Sequence, residues 1–313
     1  MTVLQVRNLN KSFGRRHIIK DLSFDLNEGE VLGFIGPNGS GKTTTIKMIM
    51  GFLHSDSGEI IINGVNVRKD YEKAMARIGG IVENPEMYTY LSGRKNLQMY
   101  ARIHDGVPEE RIDEVLNLVG MSARADEKVK SYSLGMKQRI GLALALVHSP
   151  NILILDEPTN GLDPEGIKDL RSILKRLAHE KGCAIMVSSH LLSEMELMCD
   201  RVIIINNGEV QGERTIGEEV SAAADAESKG TEEFKYFFET PDAKRAEEIL
   251  STSICKVLYV GTEGITLGAE KDAVPEIIKE LVTGGVALTE VRRVHSSLED
   301  EFINITRGGS ING

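Results

Sequence analysis

The chain has 313 residues, more than one hydrophobic core of roughly 250 residues normally serves, so two domains are expected. Its 37 basic and 47 acidic residues leave a net charge of −10, which argues against a nucleic-acid partner. A content of 41% hydrophobic and 27% charged residues excludes global disorder, and three scattered cysteines (Cys183, Cys199, Cys255) are too few for a disulfide framework or a zinc site.

The longest stretch free of Asp, Glu, Lys and Arg runs from Ile140 to Leu155. It contains Pro150 and is shorter than a membrane span. The opening MTVLQVRNLNKSF has no apolar signal-peptide region. A cytosolic protein is therefore expected, with any membrane role exercised through a partner.

In chain order, short apolar runs stand at 31–35 (VLGFI), 59–64 (EIIING), 78–82 (IGGIV), 152–155 (ILIL), 184–188 (AIMVS) and 202–206 (VIIIN). Continuous Ile, Val and Leu suit strands buried on both faces of a largely parallel sheet. Helical spacing is carried by Ile112, Val115, Leu116 and Val119, and again by Ile167, Leu170, Ile173, Leu174 and Leu177. The alternation predicts an α/β domain over residues 1–216. Residues 217–233 hold six acids and one lysine and read as an acidic linker. The remainder, 234–313, predicts a small accessory domain. Its strands are FKYFFE (234–239), CKVLYV (255–260), GITLG (264–268) and VALTEVRRV (286–294). One helix opens at Thr240-Pro241, another carries Ile277 and Leu281 and ends at Gly284-Gly285, and a short last one holds Leu298, Phe302 and Ile305. The β-α-β-β-α-β order is ferredoxin-like.

Residues Gly36-Pro37-Asn38-Gly39-Ser40-Gly41-Lys42-Thr43 fit G-x-x-x-x-G-K-[ST], directly after the run 31–35 and before a helical segment. The glycines let backbone N–H groups turn inward as an anion nest, to which the following helix adds its positive N-terminus. Lys42 can reach the β- and γ-phosphates of a nucleotide, and the Thr43 hydroxyl can ligate Mg²⁺. Downstream, four apolar residues deliver Asp156-Glu157 at a strand's C-terminal edge. Adjacent strand side chains diverge, so Asp156 is assigned to the Mg²⁺ shell and Glu157 to the attacking water. An acidic pair of this kind is otherwise a solvated strand end; the phosphate loop is what favours the functional reading. His190 follows 184–188 closely enough to touch a γ-phosphate.

The segment Tyr132-Ser133-Leu134-Gly135-Met136-Lys137-Gln138-Arg139, followed by an apolar helix and ILILDEPTNGLDP, resembles the ATP-binding cassette (ABC) ATPases over residues 1 to about 215. The resemblance implies a P-loop ABC ATPase fold with a mixed, largely parallel core sheet, antiparallel strands and a helical subdomain at about 84–148. It also implies ATP and Mg²⁺ as ligands. Phe13 matches the aromatic residue that stacks on adenine, and Gly36 through Thr43, with Thr44, match the phosphate loop. Asp156 and Glu157 match the metal-binding aspartate and catalytic glutamate, Asp163 the D-loop, and His190 the switch histidine. In such proteins two cassettes pair head to tail, so Ser133 and Gly135 would meet the γ-phosphate bound to a second copy.

Three positions depart from the family pattern. Leu134 and Met136 replace the usual Gly and Gln of the signature. Glu83 stands where the family carries a glutamine; it keeps the capacity to bind water or Mg²⁺ but cannot donate an amide hydrogen bond. Glu83 and the ending SLEDEFINITRG resemble bacitracin-type and lantibiotic-type drug exporters. The expectation is a homodimeric ATPase subunit on the inner face of a bacterial membrane, driving efflux of an antimicrobial peptide or drug through a separate permease. The competing expectation is a soluble iron–sulfur assembly ATPase. DNA-repair relatives need a coiled-coil insertion between Lys42 and Ser133, and translation-factor relatives need a second phosphate loop; neither is present in this sequence.

Overall fold

The computed structural model describes residues 1–104, 106–216, 233–250 and 255–293. The acidic stretch 217–232 and the expected last helix lie outside them. The described residues fall into two compact units, one over 1–216 and one over 233–293.

The first unit opens with two long antiparallel strands, β1 (Thr2–Phe13) and β2 (Arg16–Asn27), which the apolar-run reading of the sequence does not reveal. Their side chains alternate between buried and exposed, so neither shows a continuous apolar run. After β3 (Val31–Ile35) and α1 (Lys42–Ile49) comes β4 (Ser57–Ile62), then β5 (Val65–Asn66) and the short α2 (Tyr71–Met75). Here one expectation is corrected. The 59–64 run does not join the parallel sheet but pairs antiparallel with β1, in the order β2-β1-β4-β5. Only Ile60 and Ile62 of β4 are buried, the one-sided pattern of an antiparallel strand.

The second sheet of this unit adds β6 (Ile78–Ile81), β7 (Ile152–Asp156), β8 (Ala184–Ser189), β9 (Arg201–Asn206) and β10 (Glu209–Thr215) around β3. Its order is β10-β9-β3-β8-β7-β6, with β10 antiparallel and the rest parallel. The five-residue runs of β3 and β7 are buried throughout, as expected of strands covered on both faces. One core lies between the two sheets, where Leu4, Val6, Leu22 and Leu26 meet Phe34, Ile46, Ile154 and Met186. Between β6 and β7 the chain forms α3 (Gly93–Ala101), α4 (Glu109–Leu118) and α5 (Leu134–Leu146). Ile112, Val115 and Leu116 of α4 are buried, as their spacing predicts. Then α6 (Pro164–Lys181) buries Ile173, Leu174 and Leu177, and α7 (Leu192–Met198) precedes β9.

In the second unit, β11 (Glu233–Glu239), α8 (Ala243–Leu250), β12 (Lys256–Val260), β13 (Gly264–Glu270), α9 (Val274–Thr283) and β14 (Glu290–Arg293) follow in order. The sheet is antiparallel, in the order β12-β13-β11-β14. Tyr236, Phe238, Ile265, Leu267, Ala246, Leu250, Ile277 and Leu281 form its core. Two boundaries move. The helix expected at Thr240-Pro241 starts at Ala243, because the Thr240 hydroxyl accepts from Asp242 N at 3.1 Å and closes a turn first. The last strand starts at Glu290 rather than at Val286: Val286 belongs to the core directly after α9, before the chain reaches the sheet.

Candidate functional site

The parallel register brings the site together. Ile35 at the end of β3 pairs with Ser189 of β8, and Asp156 at the end of β7 pairs with Ser188. Three strands therefore finish side by side, and the segments leaving them, from Gly36, Glu157 and His190, emerge at one sheet edge. There they border a cleft of about 490 Å³ shared by Asn38, Gly39, Gly41, Lys42, Thr43 and Thr44 with Glu157, His190 and Phe13.

The loop before α1 is shaped to receive an anion. Gly41 sits at φ +110°, a conformation that side chains strain against, and a Cβ there would lie 2.4 Å from Ile19 Cδ1. Nothing approaches within 4 Å of the place a Cβ would take on Gly39. The Ser40 hydroxyl is buried with no hydrogen-bond partner, an orphan that a phosphate oxygen would satisfy. Lys42 is buried and folds its ammonium back onto the loop, donating to Gly36 O at 2.7 Å and Pro37 O at 3.4 Å. Burial pushes its pKa below the usual lysine value, while the carboxylates of Glu157 and Asp156 pull the other way. Donors, a cation and an unsatisfied hydroxyl suit a nucleotide phosphate. The hydroxyl of Thr43 and the carboxylate of Asp156 are the hard oxygen donors that suit a magnesium ion beside it.

Glu157 lies at the point of convergence. Its Oε1 is 3.9 Å from Lys42 Nζ and its Oε2 is 2.8 Å from His190 Nδ1. A carboxylate only accepts, so Nδ1–H of His190 donates and Nε2 remains for another partner. Glu157 is a non-glycine residue at φ +50°, a conformation that costs about 1–3 kcal/mol and is held only where surrounding contacts fix it. Phe13 is 51% exposed at the end of β1, with the Lys11 ammonium 5.5 Å from its ring centroid. An exposed ring beside the phosphate loop is available for stacking.

Other expected residues lie elsewhere. Ser133 caps α5 by accepting from Met136 N at 3.3 Å, and Asp163 caps α6 by accepting from Gly166 N at 2.9 Å. Together with Gly135 they border a second cleft of about 330 Å³, separate from the first. Gly135 leaves that helix start open, with Leu162 Cδ2 at 3.6 Å the nearest atom to its absent Cβ. Glu83 is brought to neither cleft. It is 62% exposed, and its carboxylate pairs with Lys47 of α1 at 2.7 Å. The loop after it forms a groove with Asn84, Pro85, Glu86 and Tyr100, while Tyr88 and Tyr90 pack edge to face on each other, 5.7 Å apart.

The sequence reading missed Asn160, Arg16 and Ile18, which border the nucleotide cleft, and Ser188 beneath it. Arg16 and Ile18 lie on β2, a strand without a continuous apolar run. Asn160 lies within the run ILILDEPTNGLDP, and in the fold its N–H bonds Glu157 O at 3.1 Å, inside the turn that follows the acidic pair.

The sequence matches the ABC transporter family profile over residues 19–160. It is 47% identical over 305 residues to the uncharacterized ABC transporter ATP-binding protein YhcH of Bacillus subtilis (strain 168), covering 97% of this chain and 96% of the other. The chain belongs to the ABC transporter ATP-binding proteins. It is also 36% identical over 318 residues to the bacitracin transport ATP-binding protein BcrA of Bacillus licheniformis, covering 99% of both chains. A solved ATP-binding subunit of an ABC transporter superposes with a TM-score of 0.62 at 31% identity, covering 68% of this chain and 90% of that one. The protein is an ATPase whose hydrolysis is coupled to transport, and its first unit has the P-loop ABC fold. Among the described residues no helix is long and apolar enough to cross a membrane.

Proposed function

We propose that this ABC ATPase works as a homodimer beneath a separate membrane permease and powers export of a peptide antibiotic of the bacitracin kind. The convergence of Lys42 and His190 on Glu157 in one cleft supports the chemistry. Similarity to a bacitracin transport ATP-binding protein through both units, not the cassette alone, supports the substrate class. The same similarity sets aside the iron–sulfur assembly reading. The small unit, with its βαββαβ order, is read as a ferredoxin-like accessory domain following the acidic linker.

In this reading Phe13 stacks on adenine, and residues 36–44 cradle the phosphates with backbone N–H groups and Lys42. Thr43 and Asp156 hold Mg²⁺, which when bound neutralises charge on the β- and γ-phosphates. Glu157 orients the water and takes its proton, and His190 keeps that carboxylate aimed while offering Nε2 toward the γ-phosphate. Ser133 and Gly135 cannot serve the cleft of their own chain, because they border a different one. A second copy turned head to tail would bring them, with Asp163, across the nucleotide. The groove after Glu83 then faces the permease.

Two measurements test the proposal. Glu157→Gln should lower steady-state ATP turnover by about 10²–10⁴-fold while ATP-bound dimers accumulate in light scattering. Unchanged turnover would remove Glu157 from the water-activating role. Affinity purification from detergent-solubilised membranes should recover a polytopic membrane protein; recovery of a soluble scaffold alone would overturn the transport assignment.

A further inference from the structure

Beneath the nucleotide cleft, the fully buried Ser188 makes contacts that the reaction scheme above does not use. It pairs with Asp156 in the parallel β7–β8 ladder, so both side chains point to the same face. Its Oγ lies 2.6 Å from Asp156 Oδ1 and 3.0 Å from the backbone N of Glu157. The carboxylate can only accept, so the single hydroxyl proton goes to Asp156 and a lone pair of the same oxygen receives the Glu157 N–H. That N–H also reaches Ser188 O at 3.2 Å. One hydroxyl therefore joins both acidic neighbours, and donating one hydrogen bond strengthens its acceptance of the other.

Two consequences follow from this placement. Asp156 has Oδ1 engaged, and its Oδ2 carries no hydrogen bond among the described residues, so the carboxylate is held with one oxygen left for a cation. Glu157 keeps its left-handed backbone at φ +50° because its N–H has two acceptors on one residue. We infer that Ser188 is a positioning residue that locks the Mg²⁺-holding carboxylate of Asp156 and the backbone aiming Glu157 into a single unit. It borders no part of the cleft and acts only through these two neighbours. The inference rests on the nucleotide and Mg²⁺ roles proposed above for those neighbours.

The test compares Ser188→Ala, which removes the hydroxyl, with Ser188→Thr, which keeps it, in the full-length chain. Mn²⁺ affinity of the ATP-loaded protein is read by electron paramagnetic resonance, metal-free ATP affinity with a fluorescent ATP analogue in EDTA, and kcat and KM by phosphate release. Ser188→Ala should weaken Mn²⁺ binding and lower kcat, each by about 10–100-fold, with metal-free ATP affinity unchanged and most of the loss recovered in Ser188→Thr. Wild-type Mn²⁺ affinity and kcat in Ser188→Ala would overturn the inference. Equal losses with and without metal would overturn it too, because that is what a merely structural serine would give. If Ser188→Ala does not fold, Ser188→Cys against Ser188→Thr makes the same comparison, since cysteine keeps the volume and loses the strong donor. A wild-type chain that binds ATP without turning it over would sink the proposed function, and the Mn²⁺ comparison would still decide the role of Ser188.

Discussion

At the scale of single residues, chemistry is decided by how much water each group has lost. The Lys42 amine sits in a buried place where desolvation lowers its pKa, while loop carbonyls and the Glu157 carboxylate surround it and favour its charged form. A bound phosphate would exchange those carbonyls for full negative charge, a charge-assisted contact worth about 1.5–3 kcal/mol. Lys42→Ala should therefore weaken ATP binding by about one to two orders of magnitude, measured by titration with a fluorescent ATP analogue. Exposed Glu83 is the contrast. Its position suggested a cation ligand, but its side chain meets Lys47 at the surface, an ion pair in a setting where such pairs contribute little.

At the scale of elements, the segments just past the C-terminal ends of α3 and α5 bring together a pair of stacked imidazoles. His104 and His148 lie 4.2 Å apart with ring planes within 7°. Nε2 of His148 is within hydrogen-bond distance of Ile78 O at 3.0 Å, which makes it the protonated nitrogen and leaves Nδ1 buried without a partner. Burial pushes the His148 pKa below the usual histidine value, and neighbouring His104 and Arg111 add to the shift. The sign follows from linkage: the unfolded chain binds the proton first, as the pH falls through about 6.5. Stability is thus fullest above that value, drains as the pH drops below it, and levels off once the folded form is protonated as well. Thermal melts should show a lower Tm at pH 5.5 than at 7.5, and His148→Gln should flatten that difference. A difference equally large in the variant would place the titration elsewhere.

At the scale of the whole molecule, each unit has its own core, one between the two sheets and helix α1 and one between the small antiparallel sheet and its two helices. A domain with its own core can fold alone. The fragment 1–219 should therefore melt cooperatively and retain ATP affinity within about a factor of three, whereas an aggregated fragment would show that the cassette depends on the small unit. What the small unit adds should then appear in assembly or transport. Pull-down of the permease by the fragment, compared with the full chain, measures it.

The features legible along the chain are those governed by local chemistry. Residues 36–43 announced the phosphate loop because only glycine-rich backbone with lysine and threonine at that spacing can form such a nest. The buried strands β3, β7, β8 and β9 were legible as continuous apolar runs because both of their faces are covered. Strands β1 and β2 show no continuous apolar run because one-sided burial leaves an alternating pattern, and the isoleucines of β4 do not say which edge they will pair with. Folding in three dimensions is what makes Glu157 meet His190 and Lys42, sets Ser133 and Gly135 apart from them, pairs Glu83 with Lys47, and lets Ser188 tie two acids together. Those facts depend on the register between strands tens of residues apart. Register is set by packing over the whole sheet rather than by the residues at its edge.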